Sequence, residues 1–219
     1  MKLKRLNRGL LLGAVLLVGT VSFIVVQSVR FSKYKPDVET KVDEYIADMC
    51  QANIDSTSEG SVEPLEELVN EYWQSGGSEN AFDYWCYTMG TTFEMLNDDY
   101  GDVYGKIESM NYYLSNVSIS QYGQDCAKVT FDCSINCVYS GNPMIYDLGY
   151  HSCIDFSYKE ELPSEDEKFE ATIEYWDCGL ILQLDGDEWK IINSCSGSWS
   201  SSESEVIEET SSEEVTADE

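Results

Sequence analysis

The sequence predicts an α+β fold: an N-terminal transmembrane helix, then about three helices packed on an antiparallel β-sheet, and a disordered acidic tail. Three observations lead to it. Residues 9–26 are almost wholly apolar. Apolar residues then recur at helical spacing as far as Leu96 and alternate with polar ones after Ile107. Finally, the last twenty residues are dominated by Ser, Thr and Glu.

The apolar run reads GLLLGAVLLVGTVSFIVV, with Thr20 and Ser22 as its polar side chains. As a helix it would span roughly 27 Å, close to the ~30 Å hydrocarbon core of a bilayer. Lipid offers the backbone no hydrogen bonds, so the run must be helical there. Lys2, Lys4, Arg5 and Arg8 precede it, and Arg30, Lys33 and Lys35 follow. The denser N-terminal cluster places the N-terminus inside and the rest of the chain extracytoplasmic. The expected location is therefore the cell membrane, single-pass. A signal peptide cleaved after the run is the alternative, and it would leave a secreted domain on the same side. Signal cores are usually about 7–15 residues, shorter than this run.

Within residues 36–199 the first helix is marked by Pro36 and Asp37, then Val38, Val42, Tyr45, Ile46, Met49 and Cys50. A second starts near Ser61, with Pro64 in its first turn and Leu65, Leu68, Val69, Tyr72 and Trp73 as its apolar stripe. A third is expected over residues 79–96, and Asn97-Asp-Asp-Tyr-Gly-Asp reads as a loop. Strands are expected over residues 107–119, 126–139, 148–159, 169–184 and 189–195. The second has the cleanest alternation: Ala127, Val129, Phe131, Cys133, Ile135 and Cys137 against Lys128, Thr130, Asp132, Ser134 and Asn136. Asp185-Gly186 marks a hairpin turn.

Helices followed by consecutive antiparallel strands place the helices on one sheet face. With its closing hairpin Leu182-Gln-Leu-Asp-Gly-Asp-Glu-Trp-Lys-Ile-Ile, the stretch 36–197 resembles the NTF2-like (cystatin-like) superfamily. The resemblance implies a strongly curved sheet with helices packed against it. It also implies either a small-molecule isomerase or one of the family's non-catalytic domains on bacterial membrane anchors. Fold does not decide between them.

Charge narrows the partners. All 41 acidic residues follow Pro36, against six Lys, a formal balance of −35. Such a surface repels nucleic acid and anionic headgroups and favours cationic partners. The chain divides into a basic flank and anchor (1–35), an α+β domain (36–199) and an acidic tail (200–219). The tail has too few apolar side chains to offset the entropy of ordering, so it is expected to be disordered.

Eight cysteines, Cys50, Cys86, Cys126, Cys133, Cys137, Cys153, Cys178 and Cys195, follow the apolar run, where oxidation is permitted. A loop centred near residue 145 would put Cys137 opposite Cys153. A turn at Asp185-Gly186 would put Cys195 diagonal to Cys178. These are the two disulfide candidates, with buried thiols as the competing reading. His151, Cys153 and Asp155 alternate along one expected strand, beside Cys133 and Cys137 on its neighbour. Cys133, Cys137, His151 and Cys153 are thus the candidate metal ligands, though the chain has no Cys-x-x-Cys pair. Asp155 and His151 are the catalytic candidates. Buried, Asp155 would act as general base, whereas alternation points Asp132 outward. No cofactor is expected: Gly-rich phosphate loops are absent.

These features lead to a membrane-anchored extracytoplasmic domain that binds a protein or small-molecule partner without catalysis. A curved-sheet isomerase or hydrolase and a structural spacer are the alternatives.

Overall fold

The computed structural model describes residues 8–61, 63–74, 105–141, 143, 145–146, 167–195 and 197–205. They form an α+β unit: helix α1 (Arg8–Glu59), helix α2 (Glu63–Tyr72), and strands β1 (Lys106–Gly123), β2 (Cys126–Ser140), β3 (Lys168–Asp185), β4 (Glu188–Cys195) and β5 (Ser198–Glu205). The helix expected over residues 79–96 and the strand expected over 148–159 lie outside the described residues.

The first correction concerns α1. The apolar run and the first domain helix are one helix of 52 residues, and Pro36 lies inside it rather than at its start. Proline at this position removes the N–H that would bond the carbonyl of Ser32, at a cost of about 3 kcal/mol. Residues 27–35 contain no glycine or second proline, so nothing else interrupts two long helical stretches. The two halves of the helix differ in their surroundings. Its 18-residue apolar window is wholly exposed, and by length and composition it can cross a membrane. From Phe31 on, the helix buries a stripe of Val38, Val42, Tyr45, Ile46, Met49 and Cys50. Helix α2 adds Leu65, Leu68, Val69 and Tyr72.

The sheet is antiparallel and curved, in the order β1-β2-β3-β4, with β5 also on β3. Every odd residue of β2 from Ala127 to Tyr139 is buried, making this strand the centre of the core. Burying each such Val, Ile or Phe side chain stabilises by about 1.5–3 kcal/mol. One edge of β3 pairs with β2; the other pairs with β5 at Phe169–Trp176 and with β4 at Gly179–Asp185.

A line of irregularities crosses the sheet and bends it. The β1/β2 register shifts between Ser115 and Ser118, and the β2/β3 register between Phe131 and Cys133. Asn116 and Asp177 have φ of 54° and 56° at these bulges. In β3 the buried parity switches there: Ala171, Ile173 and Tyr175 precede Asp177, and Cys178, Leu180 and Leu182 follow it. Beside Asp177, β4 gives way to β5 at Gly197. A Cβ on Gly197 would lie 2.2 Å from the carbonyl oxygen of Trp176 and 2.9 Å from the sulfur of Cys178. Only glycine lets the backbones come this close.

Strand β5 is the second correction, since residues 200–205 were expected in the disordered tail. The composition argument weighs side-chain burial alone. Here the ordering comes from a backbone ladder along an edge of β3, which makes few demands on side chains. Trp199, opposite Tyr175, is its one large apolar residue.

Candidate functional site

Helices α1 and α2 are joined by a tight connection. The amide of Ser61 bonds the carbonyl of Ser56 at 3.1 Å, and the Ser61 hydroxyl accepts from the amide of Glu63 at 3.1 Å, capping α2. The hydroxyl of Ser56 in turn donates to the carbonyl of Ser61. Held this way, each helix presents a stripe with i, i+3, i+4, i+7 spacing to the same cleft. Asp48, Gln51, Ala52 and Asp55 come from α1; Pro64, Glu67, Leu68 and Glu71 come from α2. The cleft is open and has a volume of about 200 Å³.

Four carboxylates and one amide supply its polar lining. Gln51 donates to Asp55 at 2.9 Å. The phenol of Tyr72 donates to Asp48 at 2.5 Å. Burial, then that hydrogen bond and the charges of Asp48, Glu71 and Glu44, hold the Tyr72 phenol far above its ordinary range, so it stays a donor. Lys41 sits 4.2 Å from the centre of the Tyr72 ring, and Lys190 donates to the carbonyl of Glu71 at 2.6 Å. Chemically, the cleft accepts hydrogen bonds and positive charge. None of its lining residues is a histidine, cysteine or serine.

The sequence-predicted residues fall elsewhere. His151, Cys153 and Asp155 lie outside the described residues. Both edges of β2 are occupied along their length, by β1 and β3. Cys137 therefore faces Met110 and Ala171 on the neighbouring strands. Cys137 is a free, buried thiol. At the closing hairpin the turn centres on Gly186-Asp187, with Gly186 at φ 64° in the first central position. A further shift follows between Ile181 and Leu182. Cys195 then pairs with Gly179, and Cys178 opposes Phe131 across β2. The expected diagonal between Cys178 and Cys195 is displaced by these two shifts.

Cys133 and Cys137 do share the inner face of β2, and both lie close enough to Cys50 on α1, which sequence reasoning left out of the group, for its ionisation to disfavour theirs. Burial pushes the Cys50 thiol up to about 12. Burial and then Cys50 push Cys137 up to about 12, and Cys133 is pushed higher still. With no metal bound, such thiols stay protonated near neutral pH, and a protonated thiol is a poor nucleophile. Among the described residues no group of three or more His, Cys, Asp or Glu is placed to hold a metal ion.

Asp132 points outward, as alternation predicts, and belongs to the bend. Its carboxylate accepts from the Asn116 amide at 2.6 Å and from the backbone N–H of Asp177 at 2.9 Å. The Asn116 bond first, and the Asp177 bond second, hold it below the ordinary carboxylate range. It staples two bulged strands to the strand between them.

No family model matches the chain, and no curated protein matches it. Among solved structures, "Hexachlorocyclohexane dehydrochlorinase (LinA) Type2" aligns over 78% of this chain and 92% of that chain. The alignment has 11% identity and a TM-score of 0.34.

The acidic cleft escaped sequence reading because helices α1 and α2 were read only for their apolar stripes. The available signal was the spacing of Asp48 to Asp55 by seven and of Glu67 to Glu71 by four, each just beside an apolar stripe.

Proposed function

We propose that this chain is a single-pass, membrane-anchored extracytoplasmic domain that binds a cationic partner or ligand without catalysis. The observation that carries the anchor is the divided role of α1: one uninterrupted helix is wholly exposed and apolar over its first part and forms the core of the domain over its second. An exposed apolar surface of that extent costs too much in water to persist. The basic residues support the orientation. Four of them, Lys2, Lys4, Arg5 and Arg8, cluster directly before the apolar run, against Arg30, Lys33 and Lys35 after it. Element order and the closing hairpin support an NTF2-like fold for the domain. For the binding role, the support is a filled inner sheet face and a cleft whose polar groups are mostly carboxylates.

Spermine is a suitable probe, because its four amines match the four carboxylates and it brings no chemistry of its own. Calorimetric titration of the full chain in detergent is expected to show binding that weakens as salt rises. The combined substitution Asp48→Asn, Asp55→Asn, Glu67→Gln and Glu71→Gln should abolish it. Equal binding by the wild type and the fourfold variant would exclude the cleft as the site.

A further inference from the structure

Three fixed points define how the β1–β2 hairpin lies along α1. Near the far end of the helix, Thr57 accepts from the backbone N–H of Ile107 at 3.1 Å. Midway, Tyr112 donates to Asp43 at 2.8 Å. At the near end, Arg30 pairs with Asp125 in the hairpin turn at 3.2 Å. Strand β1 thus runs down the helix towards the apolar segment, and the hairpin points its tip the same way. The β3–β4 hairpin ends alongside. The amide of Leu184 bonds the carbonyl of Asp125 at 2.8 Å, and Trp189 packs its ring on Tyr34 of α1 at 5.8 Å.

The position of these tips along the helix can be set against the bilayer. Arg30 lies four residues beyond Val26, where the apolar run ends, which is a rise of about 6 Å. The polar headgroup layer is itself about 5–7 Å deep on each side. The tips therefore reach the level of the headgroups. Tyr122, next to Gly123 at the end of β1, is 62% exposed there. Tyrosine, with an apolar ring and a hydroxyl, favours this layer. Asp185, Asp187 and Glu188 occupy the second tip, so the surface fits zwitterionic headgroups, whose cations face outward, better than anionic ones.

We propose that the two hairpin tips form a membrane-contact surface, with Tyr122 seated among zwitterionic headgroups, so that the domain stands on the bilayer rather than swinging from its anchor. This rests on the reading of α1 as a membrane span, and the test separates the two. The full chain would be prepared in phosphatidylcholine nanodiscs with a benzophenone side chain in place of Leu16, Tyr122 or Tyr113, and lipid adducts read by mass spectrometry after illumination. Leu16 lies in the exposed apolar segment, and Tyr113, 69% exposed, lies well up β1 from the tip. Adducts at positions 16 and 122, with none above background at 113, are expected. An adduct at 16 and none at 122 overturns the contact surface and leaves the anchor intact. Adducts at 113 as strong as at 122 also overturn it, because the domain would then touch lipid without preference. No adduct at 16 overturns the membrane span itself.

Discussion

Asn53 carries the largest single polar load in the described core. It is fully buried on α1, surrounded by the apolar stripe that holds the sheet. Its amide nitrogen donates to the carbonyls of Met49 at 2.8 Å and Tyr146 at 3.0 Å, and its oxygen accepts from the backbone N–H of Tyr146 at 2.6 Å. The side chain thus serves both backbone groups of Tyr146, as a neighbouring strand would. Asn53→Ala removes both partners. Losing these bonds to two buried backbone groups costs about 1–3 kcal/mol each, so a loss of about 2–6 kcal/mol of stability is expected. Asn53→Asp is the sharper control. One carboxylate oxygen still accepts from the Tyr146 N–H, but the other meets two carbonyl oxygens unless it is protonated. The folded-state pKa of that carboxyl must therefore lie above its unfolded value. Its penalty is absent at a pH below the unfolded pKa and grows as pH rises towards the folded one. Urea unfolding followed by tryptophan fluorescence, at pH 4 and pH 7, measures both effects. If Asn53→Ala stays within about 0.5 kcal/mol of the wild type, as an ordinary surface change would, the clamp on Tyr146 is refuted.

Other predictions follow from the bend and the thiols. Gly197→Ala should destabilise by about 1–3 kcal/mol, because a Cβ meets the Trp176 carbonyl and one backbone must move. Gly186→Ala, in open space at positive φ, should cost about 1–2 kcal/mol from backbone strain alone; a Gly197 effect smaller than this would contradict the close approach. The Asp132 carboxyl, followed by carbon NMR, should titrate below 3.8, with its stabilising contribution present above that pH and lost as pH falls through its folded pKa. Asn116→Ala should move that midpoint up; an unchanged midpoint would remove Asn116 as the main cause. With Cys50 and Cys137 raised to about 12 from 9.0, the stability they contribute is intact below pH 9 and declines as pH rises from 9 to 12. At pH 8 the native protein should accept iodoacetamide at Cys126 before either of them, and peptide mapping that finds Cys50 or Cys137 labelled first would contradict their burial.

Much of the fold was legible because side-chain period reports burial directly. The alternation in β2 named its buried residues correctly from Ala127 to Cys137, and the spacing of Val38, Val42, Tyr45, Ile46 and Met49 did the same for α1. What escaped was set by backbone geometry that leaves little trace in composition. Pro36 reads locally as a helix start, and only the lack of any other breaker in residues 27–35 hints at continuity. The Ser-rich residues of β5 order through a backbone ladder. The bulges at Asn116 and Asp177 and the shift between Ile181 and Leu182 change which residues face one another. A register counted outward from a turn fails after each of them, which is why Cys178 and Cys195 do not take their expected positions. The candidate site was the least legible, because a cleft between two helices depends on their relative rotation. Nothing within either helix alone states that Asp48 and Asp55 face Glu67 and Glu71.

Protease protection in oriented vesicles tests the central claim, that α1 both crosses the membrane and builds an outer domain, most directly. The full chain would be expressed in a bacterial host, and right-side-out and inverted membrane vesicles treated with protease. The account predicts that the domain stays with the membrane pellet and is digested only in right-side-out vesicles. A domain released into the soluble fraction with its N-terminus beyond Val26, or digested only in inverted vesicles, would contradict it.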